Sequence, residues 1–173
     1  MVPGSSLSNG SSSRVYGLTF EIEPPASVRP EVAFTLPVVV AVRPVGAPNN
    51  DPAQQLVAAA SLRDETGARS AVRLSGSITS SVRSRAGNTT SGYACFRSLA
   101  IATPGRYRLR VMLAVATYNG TMTTGFVDSS VIQVHADAPR SQHPTAVQIS
   151  QLQRLVPENI DISSADIAAW QQA

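Results

Sequence analysis

Arg106, Arg108 and Arg110 occupy alternate positions in the stretch YACFRSLAIATPGRYRLRVMLAV, residues 93–115. On a β-strand that spacing puts a guanidinium on one face about every 6.7 Å, twice the rise per residue. A guanidinium forks onto phosphate or carboxylate and is always charged, so a row of three suits nucleic acid or an acidic partner. Arg83, Arg85 and Arg97 would extend the row if they share that side. The alternative is a solvated outer sheet face, with some of these arginines paired to Asp or Glu of neighbouring strands. Other chemistry is poorly supplied. His135 and His143 lie eight residues apart with no nearby cysteine, a poor metal-ligand spacing. Glu21 and Glu23 share a strand face but read as exposed carboxylates. Cys95 falls on the apolar parity of its strand, which predicts a buried, inert thiol. There is no glycine-rich phosphate loop and no G-x-S-x-G. The expectation is a protein that is not an enzyme, with no metal, no cofactor and no small-molecule substrate.

Positive charge is distributed unevenly. All 14 basic residues are arginine. Residues 61–110 hold nine of them against Asp64 and Glu65, a local excess of +7 in a chain of net +3. The flanking segments are mildly acidic. One cysteine rules out an internal disulfide framework. No apolar run approaches a membrane span.

The elements that must position these residues are mostly strands. From Tyr107 onward Leu109, Val111, Leu113 and Val115 alternate with the arginines, then with Met112 and Ala114. The whole stretch 93–115 reads as an antiparallel hairpin around Thr103-Pro104-Gly105, apolar inward and cationic outward. In its first arm Tyr93, Cys95, Leu99 and Ile101 share a parity that Arg97 breaks. Further strands are expected at about 15–23, 34–43 (with Phe34, Leu36, Val38, Val40 and Val42 inward and Pro37 marking an edge or bulge), 54–63, 71–82 and 126–136. Asp64-Glu65-Thr66-Gly67 reads as a hairpin turn, and 84–92 and 118–125 as loops. Residues 1–13 read as a disordered leader without a signal peptide. After Ala138 the period changes. Ile149, Leu152 and Leu155 fall at helical spacing in 145–155, Pro157 ends that helix, and Ser163 or Ser164 caps a short one in 161–173. The fold class is mainly β: a β-sandwich over 14–160 with a C-terminal helical appendage. Ile149, Leu152 and Leu155 are the candidate docking or dimer contacts.

Three segments carry a resemblance: LSGSITSSVRS (74–84), GYACFRSLAIATPGRYRLRVML (92–113) and VDSSVIQVHADAP (127–139). Together they resemble the velvet domain of fungal regulatory proteins, most specifically from Leu99-x-Ile101 through Gly105-Arg106-Tyr107-Arg108-Leu109-Arg110. The resemblance implies an immunoglobulin fold of the Rel type. It also implies a nuclear and cytoplasmic regulator of development, sporulation and secondary metabolism that forms homo- or heterodimers with velvet-type proteins, with DNA as a further partner. Pro24 or Pro25 and Arg29 match the family's N-terminal motif, making Arg29 a candidate DNA contact beside Arg83, Arg85, Arg106, Arg108 and Arg110. The glutamines and the Asp-Arg-Arg segment of that motif are missing. Hence two expectations: a transcription regulator that contacts DNA as a dimer, or a module of the same fold that dimerises with other regulators and has lost direct DNA binding.

Overall fold

A computed structural model describes residues 15–45, 55–84, 91–117 and 120–172. The leader 1–13, Arg85 and most of the loop around it lie outside the described residues. Among the described residues eleven strands precede the helices. They are β1 (Val15–Ile22), β2 (Ser27–Val28), β3 (Val38–Val45), β4 (Gln55–Asp64), β5 (Leu74–Ser75), β6 (Thr79–Ser81), β7 (Gly92–Phe96), β8 (Ala100–Ile101), β9 (Gly105–Thr117), β10 (Gly120–Asp128) and β11 (Ile132–Val134). A small sheet has the order β1-β3-β7. A large sheet runs β2-β11-β9-β4-β6, with β10 also paired to β9; β5 and β8 form a separate two-stranded ribbon. The fold is therefore mainly β, with helices at the C-terminal end.

The main core lies between the sheets. Val38 and Val40 of β3, Ala94 and Phe96 of β7, Ala58, Ala60 and Leu62 of β4, and Tyr107, Leu109 and Val111 of β9 meet there, all buried. The alternation expected for β4 and β9 is the one observed: Leu56, Ala58, Ala60 and Leu62 are buried on one, Leu109, Val111 and Leu113 on the other. The arginines of β9 consequently point outward.

A second core lies on the far side of the small sheet. Helix α1 (Ala146–Leu155) and helix α2 (Ser164–Gln172) lay Leu152, Leu155 and Ile167 over Ile22, Leu36 and Val39, with Tyr93, Cys95, Ile149 and Trp170 packed alongside. Both helices start on reciprocal caps. Thr145 Oγ1 accepts the Gln148 amide while the Gln148 side chain accepts the Thr145 amide. Ser163 and Asp166 repeat the device. A 3-10 turn at Val156–Glu158 carries Pro157 and ends α1. Because β3 is covered on both faces, its run Val38-Val39-Val40-Ala41-Val42 is continuously apolar and buried throughout.

Several expectations are corrected. The stretch 93–115 is not a hairpin: β7 pairs with β3 in the small sheet, whereas β9 pairs with β4, β10 and β11 in the large one. Residues 97–104 carry the chain across the sandwich. Ser98 adopts φ 56 there, and this left-handed residue shifts the parity, so that Cys95 and Arg97 face the helices while Leu99 and Ile101 enter the main core. The strand expected at 34–43 begins only at Val38. Pro37 precedes it, β3 is central rather than an edge, and Leu36 joins the helix-side core while Phe34 joins the other. The region 71–82 holds two short strands in different sheets instead of one. The loop expected at 118–125 is largely β10, and the strand expected at 126–136 is divided between β10 and β11.

That division occurs at Ser129. Strands β10 and β11 lie end to end along one edge of β9, pairing with 110–117 and 105–107 respectively. Between them the buried Ser129 substitutes for the ladder. Its amide donates to the Leu109 carbonyl at 2.9 Å, and its hydroxyl oxygen accepts the Leu109 N–H at 3.0 Å. A serine side chain thus satisfies a backbone donor that the interrupted strand would have left orphaned.

Candidate functional site

The arginine row occupies the outward face of the large sheet, over the turn that follows β4. Asp64 builds that turn. Its Oδ1 accepts the Thr66 and Ala68 amides and the Thr66 hydroxyl, and the Gly67 amide donates to the Asp64 carbonyl. These bonds, the Thr66 hydroxyl foremost, lower the pKa of the Asp64 carboxyl. The turn places its carbonyls against β9 and the end of β4, where three guanidiniums close on them and a fourth meets the Glu65 carboxylate.

Arg63 donates through Nε to the Gly67 carbonyl at 3.3 Å, through Nη2 to Ala68 at 3.1 Å and through Nη1 to Ser70 Oγ at 3.1 Å. Arg108 donates through Nε to the Glu65 carbonyl at 2.7 Å and through Nη1 to the Ser129 carbonyl at 2.8 Å. Arg106 Nε lies 2.6 Å from Glu65 Oε1, an exposed pair. Arg110 is the most enclosed. It forks onto Asp128 at 2.7 and 2.9 Å, donates to the Gly67 carbonyl at 3.1 Å, and stacks over the Phe126 ring at 3.8 Å. The Asp128 hydrogen bond leads the effects that raise the Arg110 pKa.

The row is therefore a clamp on the 64–70 turn. Each guanidinium is anchored by at least one hydrogen bond, but the charge of the row is not fully cancelled. Arg106 and Arg110 have carboxylate partners, whereas Arg63 and Arg108 rest on carbonyls and a hydroxyl. Arg63, Asp128 and Ser129 belong to the clamp and were not singled out from the sequence. The Asp64–Gly67 turn was, but its partners lie 41 to 43 residues further on in the chain.

The remaining candidates are dispersed. Arg29 Nε donates to the Ala138 carbonyl at 2.6 Å, tying the start of the linker beside β2. The Arg83 backbone exchanges hydrogen bonds with Tyr93 at 3.0 and 2.8 Å, while its guanidinium makes no hydrogen bond or ion pair among the described residues. It lines a cleft of about 280 Å³ with Ser77, Thr79, Ser81, Arg97 and Asp161, where the edges of β6 and β7 diverge. Arg97 instead secures α2. It donates to the Asp161 carbonyl at 2.6 Å, lies 3.6 and 3.5 Å from the Asp161 and Asp166 carboxylates, and sits 5.7 Å over Trp170. The structure thus brings Arg106, Arg108 and Arg110 together and leaves Arg29, Arg83 and Arg97 apart from them. Leu152 and Leu155 are buried against the small sheet of the same chain, with Ile149 beside them.

Cys95 borders the cleft, and burial pushes its thiol up to about 12. It is a protonated thiol at neutral pH and a weak nucleophile. Among the described residues no three His, Cys, Asp or Glu side chains group as a metal site, and no helix is long and apolar enough to cross a membrane. No family model matches the chain, and no curated protein is significantly similar to it.

Proposed function

We propose that this chain is a velvet-type regulatory module that works by binding other proteins, with no direct DNA recognition through the arginine row. The observation that carries this reading is the clamp. Arg108 and Arg110 direct hydrogen bonds to Glu65, Gly67, Asp128 and Ser129 and Arg106 holds the Glu65 carboxylate through Nε, so the orientation of the row is set by protein partners rather than left for phosphate. Arg29 is likewise committed to a backbone carbonyl. The missing Asp-Arg-Arg segment points the same way.

A second reading, a dimeric regulator of development and secondary metabolism that contacts DNA, is favoured by one observation. Arg63 and Arg108 lack carboxylate partners, and the Arg83 guanidinium, elsewhere on the surface, has none among the described residues, so positive potential remains.

Salt dependence of duplex binding separates the two. On the first reading the chain shows no measurable binding to random duplex at near-physiological salt, yet co-elutes with a second velvet-type protein. On the second, log affinity falls with log salt at about 0.9 per phosphate neutralised, and Arg83→Ala flattens the slope by about one contact. Tight duplex binding with a steep negative slope would remove the first reading.

A further inference from the structure

The cleft beside Arg83 arises from unequal lengths of chain. Strand β6 is the outer strand of the large sheet and β7 the outer strand of the small one. Backbone hydrogen bonds tie their edges together at two places. Arg83 and Tyr93 exchange bonds at one end, and the Ser77 amide donates to the Arg97 carbonyl at 3.1 Å at the other. Between these ties the chain takes six steps on the β6 side and four on the β7 side. The longer side bows away, as at a β-bulge. The Cys95 amide then meets the Ser80 hydroxyl oxygen at 3.1 Å in place of a carbonyl. The turn at Ile160 and Asp161 supplies a third wall around the space of about 280 Å³.

We propose that this cleft binds one carboxylate, the side chain of an acidic residue in a partner protein. Its lining has donors that the fold does not use. The Arg83 guanidinium has no partner among the described residues, and the bond and ion pairs of Arg97 all run through Nη1. The Ser80 hydroxyl is engaged with Cys95 and Ser81, but those of Ser77, Thr79 and Ser81 line the same space. A guanidinium holds a carboxylate through two parallel N–H bonds, and hydroxyls can donate to the remaining lone pairs. Charge sets the number of anions. Arg83 and Arg97 stand against the Asp161 carboxylate, so the lining carries an excess of one positive charge; Asp166, the other partner of Arg97, lies outside it.

Shape and surroundings favour a protein side chain over a nucleic-acid backbone. A volume just under the usual range for small-molecule sites suits a single side chain. A nucleic-acid strand presents a phosphate at every step and needs a positive track to follow. Here the space ends at the two backbone ties, and the Asp161 side chain, 86 % exposed at the rim, would oppose the next phosphate. The arginines of the clamp lie elsewhere and do not continue the site. The inference deepens the protein-binding reading above and rests on it.

Titration of the full chain with N-acetylglutamate amide, followed through the NMR signals of the arginine Nε–H groups, tests it. The probe is added from about 0.1 to about 50 mM, a range that brackets a millimolar constant, at about pH 6, where its carboxylate is ionised. Saturable shifts are expected at Arg83 and Arg97, and none with the neutral N-acetylglutamine amide. Arg83→Gln, at an exposed position, should weaken binding about tenfold with unchanged melting. Asp161→Asn removes the opposing charge and should strengthen it about two- to fivefold; asparagine tolerates the left-handed φ of 68 at this position. Absence of saturable shifts, or equal binding by Arg83→Gln, overturns the proposal. A short oligonucleotide that shifts the same two arginines at lower concentration than the glutamate probe overturns it in favour of nucleic acid. If the titration fails while the chain still co-elutes with a velvet-type protein, only this anchor falls and the protein-binding reading stands.

Discussion

On the outward face of the small sheet Val39, Tyr93 and Cys95 lie beneath two helices, whereas on that of the large sheet Ala59, Met112 and Phe126 meet solvent beside four arginines. Both faces belong to strands whose opposite sides fill the same core. The difference originates in the strands at the centre. Strand β3 is apolar at both parities from Val38 to Val42, so burying one side leaves the other in need of cover. Strand β9 places arginines at its second parity, which can face water once their hydrogen bonds are met. One face is therefore held by apolar burial and the other by guanidinium–carbonyl bonding, and the two should fail differently.

Emptying the covered face is expected to have the largest effect. Leu152→Ala should cost about 2–3 kcal/mol, the lower part of the range for a buried leucine because a docked helix can settle into the gap. Trp170, the only tryptophan, lies in that layer and gives the local signal. A loss of Trp170 fluorescence order before the global circular dichroism transition would show the helical layer leaving first. Coincident transitions in the variant would show the two layers to be one cooperative unit.

Breaking the open face should cost less. Arg110→Ala leaves Asp128 with no partner for its carboxylate and should cost about 1–3 kcal/mol in denaturant unfolding. The Arg110→Ala, Asp128→Ala pair should recover part of that loss. Additivity in this double-mutant cycle would mean that the ion pair contributes little and the stacking on Phe126 dominates.

Acid should distinguish the faces most gently. Backbone hydrogen bonding to Ser163, helped by Arg97, holds the Asp166 carboxyl below its ordinary 3.8. A folded-state pKa below the unfolded one adds stability above the unfolded value, and this is lost as pH falls through the folded one. The helical layer should therefore loosen below about pH 4, as read from Trp170 emission. Asp166→Asn should be less stable at pH 7 and show a flatter decline with acid; an unchanged acid profile would separate Asp166 from the attachment of α2.

The legible parts of this architecture were those decided locally. Alternation in β4 and β9 fixed their buried sides, and Thr145, Ser163 and Pro157 marked the helix ends. What escaped depends on distant partners or single dihedrals. Residues 93–115 look like a hairpin because nothing in their residue types announces the left-handed φ at Ser98. The loop expected at 118–125 rests on Asn119-Gly120 and Gly125, turn signals that outweigh the β-branched threonines between them; from Gly120 onward the strand state comes from pairing with β9. The arginine row was visible, but its state was not. Whether Arg108 meets solvent or a carbonyl depends on where the chain 43 residues earlier folds back.

The double cover of β3 also bears on how the chain is made. A ribosome delivers β1, β3 and β7 before α1 and α2, so Ile22, Leu36 and Val39 emerge with no helix yet available to cover them. Until residues 146–172 are out, the nascent small sheet leaves Ile22, Leu36, Val39 and Tyr93 uncovered, the kind of apolar surface that recruits other chains. That face is closed only when Leu152, Leu155 and Ile167 arrive to cover it.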